Sequence, residues 1–190
     1  TVTDPQGSTT THEYNAADRL SRRLDPLGKA ETFLYDGNGN LTSTTDRKSQ
    51  TTTFTYDALN RRTQASYPDS TVATFTYDAG SRLTQADDTA DPHRPIVFTY
   101  DALDRLLTET TSLGTVTYTY DTVGRRTSMT VAGQAPVTYT YDHNARLRTI
   151  TQAPLNPVAI DYDAANRRTL LTLPNGVSTE YQYDAASRLT

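Results

Sequence analysis

The chain has 190 residues, with 18 basic and 22 acidic side chains, a net charge of −4 and a pI near 5.3. The length suits one domain, and the mild charge, with no basic patch, excludes a nucleic-acid binder. No apolar run is long enough to span a membrane, and the absence of cysteine excludes a disulfide or thiolate site.

In chain order, Thr1-Val2-Thr3 reads as the end of a strand and Asp4-Pro5-Gln6-Gly7 as a turn. An alternating segment then runs to Tyr14 and into a second turn. The same arrangement returns at Tyr35, Tyr56, Tyr77, Tyr100, Tyr120, Tyr141, Tyr162 and Tyr183, in steps of 21, 21, 21, 23, 20, 21, 21 and 21 residues. Nine copies at a near-constant period define a repeat architecture. Turn signals separate the copies: Asp25-Pro26-Leu27-Gly28, Asp46 to Gln50, Tyr67-Pro68-Asp69-Ser70, Leu113-Gly114, Ala132-Gly133, Pro154 to Pro157 and Pro174-Asn175-Gly176. The 23-residue step carries Ala86 to Pro95, which predicts a longer exposed loop. Arg188-Leu189-Thr190 stops just as a return strand begins. The expectation is therefore one repeat array over residues 1–190, a fragment of a longer array. No helix is predicted.

Each position of the repeat has a physical reading. Two residues before the tyrosine stand His12, Phe33, Phe54, Phe75, Phe98, Tyr118, Tyr139, Ile160 and Tyr181, with a mostly polar residue between. Alternation of this kind marks a strand with one buried face. The next residue is Asn15 in the first copy and then Asp36, Asp57, Asp78, Asp101, Asp121, Asp142, Asp163 and Asp184. Three positions later stand Asp18, Gly39, Asn60, Ser81, Asp104, Gly124, Ala145, Asn166 and Ser187. Most of these accept a left-handed backbone; Ala145 and the serines suit it less well. The stretch predicts a hairpin loop made of a type I turn and a left-handed bulge residue, with the Asp carboxylate capping backbone N–H groups.

That turn sets the register. It places the Asp opposite the residue four further on, which is Arg in eight copies and Asn40 in one. The tyrosine faces the following residue, a Leu in six copies and Arg62, Arg126 or Arg168 in the others. The prediction is one face of exposed Asp–Arg and Thr–Thr pairs and another of Tyr–Leu pairs, the latter contributing about 0.2–1 kcal/mol each. The three arginines in the Leu slot are expected to lay their stems along a tyrosine ring. The fold class is all-β: an antiparallel hairpin meander of about 18 strands. So long a strip should curl, with its Tyr/Phe face covered by another layer.

The candidate chemistry is thin. Nine copies of the Tyr-Asp site, the first with Asn15 for the Asp, argue for a turn device, since an active site is usually single. Asp36-Gly37-Asn38-Gly39-Asn40 starts like a calcium loop but has Leu41 and Arg47 where an EF-hand needs Gly and an acid. Asp87, Asp88 and Asp91 could hold a cation weakly, with a solvated loop as the default reading. His12, His93 and His143 sit in different repeats and suggest neither zinc nor a catalytic triad. Asn40-Leu41-Thr42 is a glycosylation sequon on a turn. The reading is of no catalytic residue, no metal and no cofactor, with the Tyr and Asp positions as a structural motif.

Phe75-Thr76-Tyr77-Asp78-Ala79-Gly80-Ser81-Arg82-Leu83 and Tyr35-Asp36-Gly37-Asn38-Gly39-Asn40-Leu41 resemble the Rhs, or YD-repeat, family, as does the turn Asp25-Pro26-Leu27-Gly28. The resemblance covers the whole chain. It implies a β-strip wound spirally as part of a hollow shell, as in bacterial Rhs effectors, cocoon-forming toxin-complex subunits, wall-associated proteins and teneurins. In bacterial members the shell encloses a toxic C-terminal domain, released by a protease-like segment after the repeats; neither has a counterpart here. The resemblance thus implies a non-enzymatic wall whose partners are the rest of its shell and the enclosed toxin. Its location is secreted or extracellular, or the bacterial cytoplasm before delivery. The alternative is an extracellular adhesion or carbohydrate-binding module with cell-surface glycans as partners.

Overall fold

The computed structural model of the protein describes residues 1–190. It holds eighteen strands and no helix. The chain divides into two compact units, Thr1–Ile96 and Val97–Thr190.

The first unit contains β1 (Val2–Thr3), β2 (Thr9–Tyr14), β3 (Leu20–Leu24), β4 (Ala30–Tyr35), β5 (Leu41–Thr45), β6 (Thr51–Tyr56), β7 (Arg62–Ser66), β8 (Val72–Tyr77) and β9 (Leu83–Asp88). Each pairs antiparallel with the next. The second unit contains β10 (Ile96–Tyr100, apart from Ile96 itself), β11 (Leu106–Thr111), β12 (Gly114–Tyr120), β13 (Arg126–Val131), β14 (Val137–Tyr141), β15 (Leu147–Gln152), β16 (Val158–Tyr162), β17 (Arg168–Thr172) and β18 (Ser178–Glu180). It is an antiparallel meander of the same kind.

The Tyr-Asp turn is built alike in all nine copies. At Asp57 the backbone N–H donates to the Arg61 carbonyl at 3.0 Å, and the Asn60 N–H donates back to the Asp57 carbonyl at 3.0 Å. The slot three residues after the Asp is left-handed throughout, from Asp18 (φ 55°) and Asn60 (φ 60°) to Ala145 (φ 62°) and Gly124 (φ 88°). The extra residue shifts register just before each tyrosine, so Tyr14 faces Leu20, Tyr56 faces Arg62 and Tyr141 faces Leu147. The turns between repeats at Asp4, Asp25, Asp46, Tyr67 and Leu173 use the same pair of backbone bonds. One turn geometry therefore serves both ends of many hairpins.

Alternation governs exposure. In β6 the residues Thr51, Thr53 and Thr55 are exposed and Thr52, Phe54 and Tyr56 half-buried. On the threonine face hydroxyls pair across strands, as in Thr55–Thr63 at 3.0 Å and Thr119–Thr127 at 2.8 Å.

Two expectations are corrected. The segment Ala86 to Asp88 is strand, because the β8–β9 hairpin extends to Ala73 opposite Asp88; the connection is shorter, Thr89 to Pro95. The tyrosine face is not covered by a second layer within either unit. Strands there touch only their sequence neighbours, and the buried apolar residues are Ala65, Ala73 and Tyr118 alone. A single sheet has nothing of its own to lay over its face.

Candidate functional site: the latch between repeats

The tyrosines reach backward. Tyr56 Oη donates to the Leu41 carbonyl of the preceding repeat at 2.9 Å, and Tyr35 does so to Leu20 at 3.0 Å. The same bond joins Tyr77 to Arg62, Tyr120 to Leu106, Tyr141 to Arg126, Tyr162 to Leu147 and Tyr183 to Arg168, at 2.8–3.0 Å. Tyr14 is 61% exposed. The acceptor is a main-chain carbonyl, so a Leu or an Arg at that position serves equally.

The arginines reach forward. Arg61, after bonding its own Asp57, sends Nη1 to the Asp78 carbonyl at 3.0 Å and to Ser81 Oγ at 3.2 Å. Its guanidinium lies 4.7 Å from the centre of the Tyr77 ring. Arg105 covers Tyr120, Arg125 covers Tyr141, Arg146 covers Tyr162 and Arg167 covers Tyr183, all at 4.6–4.7 Å. Arg19 lies farther from Tyr35, at 5.8 Å. Contacts of this kind are worth about 0.5–1 kcal/mol at exposed sites and about 2 kcal/mol when desolvated. Where Asn40 replaces the arginine, its amide bonds Asp36 Oδ2 at 2.9 Å and Asn60 Oδ1 at 2.7 Å, bridging the same two repeats.

This geometry corrects the expected separation of faces. The Asp–Arg pair does not stand apart from the aromatic row; its guanidinium lies on the next repeat's tyrosine. The pairs are also half-buried: Arg146 and Asp142 are 21% and 14% exposed.

Each Asp is saturated with donors. Asp57 Oδ1 accepts the Leu59 and Arg61 N–H groups and Oδ2 accepts Arg61 Nε. The same cradle holds Asp78, Asp101, Asp121, Asp142, Asp163 and Asp184. The Arg backbone N–H leads in holding Asp57, Asp78, Asp163 and Asp184 below the usual carboxylate range. At Asp101, Asp121 and Asp142 partial desolvation pushes upward and is outweighed by the same hydrogen bonds and the guanidinium. At Asp36 the Asn40 side chain is the main cause of the lowering.

The remaining candidates resolve into turns. Asp36 to Asn40 is a hairpin loop like the others. Asp88 and Asp91 cap the Ala90 and His93 N–H groups, and Asp87 meets Arg94 at 3.5 Å. No group of three or more His, Asp or Glu residues could hold a metal ion. The Leu-slot arginines do lie on rings: Arg62 on Phe54, Arg126 on Tyr118 and Arg168 on Tyr181, at 4.6–5.1 Å. In place of the slot's facing tyrosine, each uses an aromatic residue two before a repeat tyrosine.

Fold and site together define a hairpin-repeat protein in which, within each unit, successive repeats are latched by Tyr–carbonyl and Arg–Tyr contacts. A family model described as RHS Repeat matches residues 1–30 and 35–72, and one described as Teneurin YD-shell matches residues 66–190. The chain belongs to this RHS-repeat, YD-shell family. No curated protein sequence matches it. Among solved structures, the chain resembles one from the Photorhabdus luminescens Tc holotoxin pore (17% identity, TM-score 0.73), with 98% of this chain and 12% of that chain covered. It also resembles a chain in the crystal structure of TcdB2-TccC3 (16% identity, TM-score 0.71), with coverage of 96% and 12%. The likeness is one of fold, and the chain spans about an eighth of the length of the chains it matches.

Proposed function

We propose that residues 1–190 are one continuous run of shell wall, without catalytic activity, in a protein that encloses a C-terminal toxin or effector for delivery outside the cell that makes it. The observation that carries this reading is the latch. Nearly every repeat donates to the one before and clasps the one after, while little is buried within either unit. Such a strip gains cohesion along its length with almost no interior of its own, which suits a wall. The Tyr and Asp positions are then its fastening motif. Family membership and the shared fold of toxin-complex structures support the reading.

The test is electron microscopy of the full-length protein. A closed hollow particle with internal density is the expected result. An extended or solid repeat rod would overturn the reading and turn attention to adhesion, with glycan binding measured next.

A further inference from the structure

Arg62, Arg126 and Arg168 differ from the other arginines outside the Tyr-Asp turns. Arg22 is met by Glu13, Arg23 by Glu31, Arg47 by Glu31 and Asp25, and Arg148 by Asp161. The three Leu-slot arginines meet no carboxylate and donate to no protein acceptor; each is exposed and rests on an aromatic ring.

Two of them line a groove, and the two grooves are built from equivalent positions in separate units. One, of about 510 Å³, is lined by Tyr56, Asn60, Arg62, Phe75, Tyr77 and Leu83. The other, of about 410 Å³, is lined by Tyr120, Gly124, Arg126, Tyr139, Tyr141 and Leu147. Neither lining contains an acid. At the third place the groove lacks its open ring, because Tyr181 already carries the Arg168 guanidinium.

The lining selects its ligand. The hydroxyls of Tyr56, Tyr77, Tyr120 and Tyr141 have already donated to main-chain carbonyls, and Tyr77 and Tyr141 are already stacked by Arg61 and Arg125. Besides the guanidinium, the Asn60 amide in one groove and the Tyr139 hydroxyl in the other are the hydrogen-bonding groups left, few for a hydroxyl-rich sugar. What remains is apolar surface on Phe75 and Leu83, or on Tyr139 and Leu147, beside one unneutralised guanidinium. A guanidinium in such a place favours a carboxylate, which it can bind through two parallel hydrogen bonds.

We propose that these two grooves bind an extended polypeptide segment in which acidic and apolar side chains alternate, the carboxylate on Arg62 or Arg126 and the apolar group on Phe75 or Tyr139. The proposal depends on the geometry of this chain and not on enclosure of a toxin, so either can fail alone.

The experiment uses the 190-residue chain with a labelled dodecapeptide alternating Glu and Leu, its Gln counterpart, and an oligogalacturonate. The double variant Arg62→Leu and Arg126→Leu installs the residue that six other repeats carry there, which preserves the fold and is checked by circular dichroism. Arg148→Leu is the control. Saturable binding of the Glu peptide is expected, at least tenfold weaker for the Gln peptide and for the double variant, and unchanged for the control. High salt should weaken it. No binding, equal binding of both peptides, or full binding by the double variant would overturn the proposal. Binding of the oligogalacturonate alone would overturn it too and assign an acidic sugar instead.

Discussion

At the scale of single residues, the left-handed slot shows how a repeat tolerates a poor fit. Ala145 holds φ 62° where other copies use Gly, Asn, Asp or Ser. A Cβ in that region costs about 1–2 kcal/mol, a strain that glycine does not carry. Its turn nevertheless forms, with the Ala145 N–H donating to the Asp142 carbonyl at 3.0 Å, because Asp142 and Arg146 hold the loop from both sides. Ala145→Gly should therefore stabilise the chain by about 1 kcal/mol, the relieved strain being partly offset by the freedom glycine adds to the unfolded state. Urea unfolding of both proteins checks it, and a variant no more stable than the parent would mean the turn is not strained.

At the scale of the hairpin, the carboxylates tie stability to pH. Asp57, Asp78, Asp101, Asp121, Asp142, Asp163 and Asp184 are all held below the usual range in the folded chain. In the unfolded chain they titrate near the ordinary aspartate value of about 3.9. A depressed folded value stabilises above the unfolded one, and that contribution is lost as pH falls through the folded value. Thermal midpoints should thus be level from about pH 7 to 5 and decline steadily below about pH 4. An identical midpoint at pH 3 and pH 7 would show that the turns do not depend on ionised aspartate. The hairpin is also the scale at which the sequence was most legible. Turn, bulge and register follow from the Asp and the left-handed slot, both local. Ala86 to Asp88 misled because two aspartates resemble a loop, although their pairing with Thr74 and Ala73 makes them strand. The latch was hidden for a different reason. Its acceptor is a backbone carbonyl in another hairpin, which leaves no mark on residue identity. Its one trace is spacing: the bond spans 15 residues in most repeats and 14 at Tyr120, where the repeat itself is one residue short.

At the scale of the whole chain, cohesion is linear. Within each unit a strand touches only its sequence neighbours, and arrays of this kind owe their stability to repeat terms plus nearest-neighbour terms. A broken latch should then be felt locally. Tyr162→Phe removes the hydroxyl that bonds the Leu147 carbonyl at 2.9 Å, while the ring stays beneath the Arg146 guanidinium at 4.6 Å. The net loss from one such hydrogen bond is about 0.5–1.5 kcal/mol, which would speed the exchange of amides that open locally by roughly twofold to tenfold. The effect should appear in β14 to β17, which flank the latch, while β11 and β12 in the same unit keep their protection. Hydrogen exchange followed by mass spectrometry resolves the two outcomes. Equal acceleration across β10 to β18 would mean that the unit opens as a single cooperative body, and a wall fastened repeat by repeat would then be the wrong description of it.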